Sequence, residues 1–422
     1  MTPELKQRIE QLRVGKVPIG YKLTRYGVYP NDWAIKNVGA CINEYRELTN
    51  DIHSFPVYSS SRKGLIPQSE YYDQKDAKET NIGYKIVPAN YVTYRHMSDD
   101  DVFHFNINHT GSSILVSSEY PVFATKKETD TIFLVSVLNS AARFRYFCRA
   151  QKLGGTRTRL YLQKLSQYQF GIPNLQEQEK ISTILSAQNK VIELKEKRLA
   201  EKQRQKKYFM QQLLTGKKRL PKFRGNWSIC RLQDITKRIT KRNCTGNSNV
   251  LTISAQYGLI NQSIFFDKTV ASDDKSSYFF LTENDFAYNK SSSNGYPYGA
   301  IKRLTRYRAG IVSPLYICFR VKPACCSIDY LEQYFESGLI NKEIQSFAQE
   351  GARNHGLLNI AVSDFFNSRL LLPPLDEQTA IAEILSTADR EIDLLRQDIE
   401  QEKQKKKSLM QLLLTGIVRV TR

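Results

Sequence analysis

The chain has 422 residues, a formal net charge of +20 and 41% hydrophobic side chains. That length suits about two or three domains, and the 24 Tyr and 20 Phe are ample core material. No stretch approaches the roughly 18 consecutive apolar residues of a membrane span, and the basic balance favours an anionic partner, nucleic acid above all.

The N-terminal MTPELKQRIEQLRVGK is a polar helical pattern with no apolar core for export. Seven cysteines (Cys41, Cys148, Cys230, Cys244, Cys318, Cys325, Cys326) are scattered, odd in number and form no C-x-x-C pair, so free thiols in a reducing cytoplasm are expected. From about residue 20 to 170, short β-rich runs such as YKIVPANYVTY and SILVSSEYPVFA alternate with Ser, Asn, Gly and Pro turns, and a helical stretch near Thr131–Ala150 follows. The pattern predicts an α+β domain with an irregular, loop-rich sheet.

A long polar helix then begins at Pro173, and it occurs twice. Pro173–Arg219 and Pro373–Arg419 align without a gap at an offset of 200 and match at 19 of 47 positions, so an internal repeat governs the architecture. The repeat extends backwards. The two tryptophans, Trp33 and Trp227, correspond at an offset of 194, as do Gly64–Asp73 and Gly258–Asp267, and Tyr84, Asn90 and Tyr94 with Tyr278, Asn284 and Tyr288. Val116, Ser117 and Tyr120 fall on Val312, Ser313 and Tyr316 at an offset of 196. A slowly drifting offset is what a duplicated domain with loop insertions leaves behind. The expected domains are 1–172, an N-terminal arm with a first globular domain; 173–219, a helix; 220–372, a second globular domain; and 373–422, a second helix.

The second helix carries a 4-3 apolar repeat, Ile381, Leu385, Ala388, Ile392, Leu395, Ile399, Leu409 and Leu413, interrupted by Glu402 and Lys406. The same register in the first gives Ile181, Leu185, Ile192, Leu199, Phe209 and Leu213, with Gln188, Lys195, Lys202 and Lys206 between them. The first helix is a poor zipper by itself, so the two are expected to pair antiparallel, with long Lys stems lying on apolar surface. From Ile181 to Leu214 such a helix runs for about 50 Å, long enough to hold two globular domains apart as a ruler.

For DNA, phosphate contacts supply affinity and base-edge contacts supply specificity. The candidate readers are polar loops at strand ends. In the first domain they are Ser59, Ser60, Ser61, Arg62 and Lys63, then Tyr94, Arg95 and His96, then Arg157 and Arg159 with Thr158. In the second they are Gln256 and Tyr257, then Asn289, Lys290, Ser291, Ser292, Ser293 and Asn294, then Arg353, Asn354 and His355. Arg suits guanine, and Asn or Gln suits adenine; the competing reading of each is a turn residue chosen for local geometry. Ten Lys or Arg between 195 and 219 could follow phosphates or form a solvated helix face. Asp99–Asp101 reads as a solvated acidic loop. No nucleotide-binding G-x-x-x-x-G-K-[ST], no N-P-P-[FY] or D-P-P-Y, no glycine-rich cofactor loop and no zinc-ligand spacing among the five His is present, so no motif stands behind catalysis by this chain alone and neither a catalytic nor a metal site is expected.

The helix start P-x-L-x-E-Q-x-x-I-x-x-I-L-S, the helix end M-Q-x-L-L-T-G, and the domain starts Gly20–Trp33 and Gly225–Trp227 resemble the specificity subunit of type I restriction-modification systems over nearly the whole chain. The resemblance implies a non-catalytic, cytoplasmic prokaryotic subunit. Its two target-recognition domains would each read half of a split double-stranded DNA site. Its helices would set the spacer and dock two adenine-N6 methyltransferase subunits, joined for restriction by motor-nuclease subunits. S-adenosylmethionine, ATP and magnesium would then belong to those partners, and this chain would need no cofactor of its own. A free-standing DNA-modifying enzyme and a purely protein-binding helical scaffold are the alternatives.

Overall fold

The computed structural model describes residues 2–68, 83–140, 142–152, 157–244, 246–254, 257–265, 274–293, 295–350 and 358–420. They fall into two compact units, one made of 1–195 with 398–422 and the other of 196–397. Each unit thus combines one globular domain with the first part of the long helix that follows it and the last part of the other long helix.

In the first unit a four-stranded antiparallel sheet is ordered Phe105–Ile107, Val92–Tyr94, Val122–Thr125, Ile42–Tyr45. Its inner strands are short and rich in β-branched and aromatic residues, and consecutive residues such as Val92, Thr93 and Tyr94 are all buried, so the sheet is covered on both faces there. The helix Thr131–Ser140 contributes Phe133, Leu134, Val135, Val137 and Leu138 to the core, where they join Tyr94, Phe105, Phe123, Phe144 and Phe170. Each such side chain is worth about 1.5–3 kcal/mol when fully buried. The second unit repeats the sheet strand for strand: Ala300–Arg303, Phe286–Asn289, Ile317–Val321, Thr236–Arg238. The pairing register carries over as well. Ile42 faces Thr125 in one, and Thr236 faces Val321 in the other. The fold is therefore α+β and duplicated.

The long helices are Leu175–Leu213 and Leu375–Leu413, 39 residues each. Both end on a glycine with positive φ, Gly216 at 70° and Gly416 at 68°, followed by a backbone bond back into the last turn: Lys218 N–H to Gln212 O, and Val418 N–H to Leu412 O. The helices run antiparallel within each unit. In the first, the Gln188 amide donates to Glu402 Oε2 at 2.7 Å, and Lys195 Nζ donates to Asp398 at 2.8 Å and Glu402 at 2.9 Å. In the second, Lys202 lies 2.7 Å from Glu391 and Lys206 lies 2.5 Å from Asp389. The seam lysines therefore do more than lie along apolar surface, since acidic residues of the opposing helix meet their heads.

The apolar seam divides into two kinds of position. Ile192, Ile392 and Ile399 are buried along the middle stretches, with Leu199 and Leu395 half-buried. Towards the ends the seam packs on the globular cores: Ile181, Leu185 and Leu413 with part-buried Leu409 in the first unit, and Leu213, Ile381 and Leu385 with Phe209 in the second. The cause is connectivity. Each helix starts three residues after a ribbon strand, Gln169–Ile172 or Arg369–Leu372, so its first turns are held against the domain it leaves.

A buried carboxylate fastens this junction in both units. Glu177, 2% exposed, accepts from the Trp33 indole at 3.3 Å and from Arg419 Nε and Nη2 at 2.8 and 2.9 Å. Glu377, fully buried, accepts from Trp227 at 3.2 Å and from Arg219 at 3.1 and 2.6 Å. Arg419 also forks onto Asp32 at 2.9 and 2.7 Å, which holds the Asp32 carboxyl below its ordinary range.

Candidate nucleic-acid interface

In the first unit the strands Tyr58–Ser61 and Gly64–Pro67 form a hairpin whose tight turn presents Arg62 and Lys63 to solvent. Asn106 secures its base by donating to Ser60 Oγ at 2.8 Å and Ser61 O at 2.9 Å. Ser60 is consequently buried, while Ser59 and Ser61 are half-buried. Beyond the sheet, Met97–Ser98 pairs with Thr158–Arg159, bringing exposed Arg157 and Arg159 beside the loop that follows Ser98.

In that loop, Asp99–Asp101, Asp99 and Asp100 are exposed, as a solvated acidic loop requires, and they also carry partners. Asp100 pairs with Arg62, and the guanidinium holds its carboxyl below the ordinary range. Asp99 Oδ1 accepts from Arg157 Nε at 2.8 Å. Asp101, at a left-handed φ of 63°, accepts from the Thr158 hydroxyl. Ser98 Oγ braces the turn through Asp100 Oδ1 and Val102 N–H. The loop bridges two arginine-bearing segments, a role its composition does not reveal because both partners are distant in sequence.

Two candidate readers belong to the core instead. Tyr94 is fully buried and its hydroxyl donates to Leu160 O at 2.9 Å. Its counterpart Tyr288 does the same with Tyr298 O at 2.7 Å, so the paired tyrosines reflect packing. His96 is 2% exposed, and burial pushes its imidazole below its ordinary pKa against the opposing pull of Glu119. Arg95 between them is exposed. Sequence reasoning overlooked Tyr161, which is exposed and stacks on His96 at 5.3 Å; an aromatic directly after T-R-T-R-L is its only sequence signal.

In the second unit the equivalent hairpin, Leu251–Ser254 with Gly258–Asn261, carries exposed Tyr257 at its turn. Arg306 Nε donates to the Tyr257 carbonyl at 3.1 Å. Asn289 ends its strand and folds its Oδ1 onto Ser291 N–H at 3.1 Å. Lys290 and Ser291 are half-buried, and Ser292 and Ser293 are exposed. Gln256, Asn294, Arg353, Asn354 and His355 lie outside the described residues. Along the first helix Lys195, Lys202 and Lys206, and past its end Arg219, are taken up by carboxylates. Arg198, Arg204, Lys207, Lys217 and Lys218 are exposed.

No described helix is long and apolar enough to cross a membrane. The family model of the type I restriction modification DNA specificity domain matches twice, at residues 48–203 and 225–404, together most of the chain. A putative type I restriction enzyme MjaX specificity subunit from Methanocaldococcus jannaschii is 44% identical over 61 residues, 14% of each chain. The MjaVIII specificity subunit of the same organism is 38% identical over 90 residues, 21% of this chain and 19% of that one. The matched stretches thus span under a fifth of these relatives' length. Among solved structures, the type I restriction-modification S subunit from M. genitalium aligns over 93% of this chain and 97% of its own, with a TM-score of 0.54 at 10% identity. A chain from a structure of type I R-M system assembly and conformational transition aligns over 92% and 99%, with a TM-score of 0.51 at 14% identity. At such identities these structures establish a shared fold.

Proposed function

We propose that this chain, which belongs to the type I restriction modification DNA specificity family, is the non-catalytic subunit that reads a bipartite, asymmetric DNA site for an adenine methyltransferase complex in a prokaryotic cytoplasm. The observation that carries the reading is a conserved duplication with diverged edges. The two sheets match strand for strand, yet the equivalent hairpin turns present Arg62 and Lys63 in one unit and Tyr257 in the other, and Arg95 and Asp99 align with Asn289 and Ser293. Equal scaffolds with unequal polar loops suit two different half-sites. The long helices would set the spacer by their residue number and offer two similar docking surfaces to methyltransferase subunits. Motor-nuclease subunits would join the same assembly for restriction. S-adenosylmethionine, ATP and magnesium would be bound by those partners.

Sequencing methylated adenines in the host with and without this gene tests the reading. The expected result is loss of one split motif with two unlike halves. Methyl transfer by the purified chain alone would instead favour a free-standing enzyme. Absence of salt-sensitive DNA binding, which phosphate neutralisation demands, would favour a protein-binding scaffold.

A further inference from the structure

Resting on that reading, we propose that Arg157 reads one guanine in one half-site and that Asp99 is its positioning residue. The geometry is directional. Asp99 Oδ1 takes the Nε proton of Arg157 at 2.8 Å, which occupies the inner edge of the guanidinium. Nη1 and Nη2, the end-on pair of donors, carry no recorded partner among the described residues, and the side chain is 52% exposed. An end-on pair of parallel N–H groups matches guanine O6 and N7.

The residues on either side of Asp99 are held. Ser98 lies in the ladder opposite Thr158, and the Thr158 hydroxyl donates to Asp101. The Arg62–Asp100 pair fastens the bracket to the neighbouring hairpin. The carboxylate, 69% exposed, therefore biases the plane of Arg157 before DNA arrives, which lowers the ordering cost of a bidentate contact by the modest amount an exposed pair can supply. The aligned stretch of the second unit, Ser293–Tyr298, contains no carboxylate, so the device serves one half-site only and the other is an internal control.

The alternative is that Asp99 merely screens a cation. The two roles have opposite signs. Removing a screening carboxylate tightens binding to all DNA, because one negative charge near the phosphates is gone. Removing a positioning carboxylate weakens binding to the cognate site while binding to unrelated DNA stays equal or tightens.

The test uses the full chain in complex with its methyltransferase subunit. The probes are a duplex carrying the mapped motif and a scrambled duplex of equal length, at fixed salt. Asp99→Asn is expected to weaken the cognate duplex about two- to tenfold without weakening the scrambled one. Arg157→Lys, which keeps the charge but cannot fork, is expected to relax one guanine position in the methylation map and leave the other half-site unchanged. The proposal is overturned if Asp99→Asn tightens both duplexes alike, or if Arg157→Lys leaves both half-sites intact. A wild-type complex that binds neither duplex in a salt-dependent way overturns the function proposed above, and this inference with it.

Discussion

Glu177→Ala removes the one acceptor that joins the Trp33 indole, the start of the first helix and the end of the second. Trp33 is 1% exposed, so its N–H has no route to water, and a buried donor left unpaired costs about 1–3 kcal/mol. Breaking a buried ion pair costs about 3–5 kcal/mol. Arg419, however, keeps its fork onto Asp32 and is about a quarter exposed at its side chain. We therefore expect the low end, about 3 kcal/mol in total. At this unit's size each kcal/mol shifts Tm by about 2–4 °C, so the first unit should melt roughly 6–12 °C lower. Asp32→Asn is the matched control. Its side chain is 62% exposed, and surface pairs of that kind contribute about 0–1 kcal/mol. Scanning calorimetry of the full chain reads both variants. Equal shifts for Glu177→Ala and Asp32→Asn, or a Glu177→Ala shift of less than about 3 °C, would refute the buried-knot reasoning.

Across the helix seam, Lys206→Glu should destabilise the second unit by about 1 kcal/mol, and adding Asp389→Lys should recover only part of it, since Asp389 also accepts from the Gln333 amide at 2.8 Å; fully additive losses in chemical denaturation would show that the pair is not coupled. Glu402 is held at about 2 by the Gln188 amide and Lys195. With its folded pKa depressed, its stabilising contribution is fully present above the usual glutamate range near about 4.3 and is lost only as pH falls through about 2. Carbon NMR of labelled glutamates should find this late titration, and in Lys195→Met it should move only part of the way back, because the Gln188 amide, the larger cause, remains. Removing seven residues from both long helices subtracts about 10 Å of rise and should shorten the spacer by about three base pairs, read from the methylation map; an unchanged spacer contradicts the ruler. Replacing Ser291–Asn294 should change one half-site and leave the other, and joint failure of both halves in a folded variant contradicts modular reading.

What the sequence made legible was whatever the duplication wrote twice. Trp33 and Trp227 aligned because each meets a buried glutamate, and Tyr94 and Tyr288 aligned because each is a core hydroxyl with a carbonyl partner. The same logic explains the misplacement of Tyr94 among DNA-reading residues. Tyr94 and Tyr288 are kept in both copies because the core holds them; that identity across the copies is no sign of base reading. The Asp99–Asp101 bracket was illegible for the complementary reason. It exists in one copy only, and its partners Arg62 and Arg157 are 38 and 58 residues away, beyond any local pattern.

The unequal heptads have a further consequence for which helices can pair. At the offset of 200, Asp398 and Glu402 correspond to Arg198 and Lys202. Pairing two copies of the first helix would replace both carboxylates facing Lys195 with cations, at positions where the native pair holds 2.8 and 2.9 Å contacts. Two copies of the second helix would set Leu395 where Lys195 now sits, leaving Asp398 and Glu402 without their cation. Either self-pairing forfeits charge-assisted bonds in a partly buried seam and adds repulsion or an unmatched carboxylate, whereas apolar positions such as Ile192 and Ile392 would accept any partner. The lysine-studded first helix is therefore a weak zipper by composition and a selective one by charge: its polar positions sacrifice some seam hydrophobicity and favour the acidic second helix over a second copy of the first.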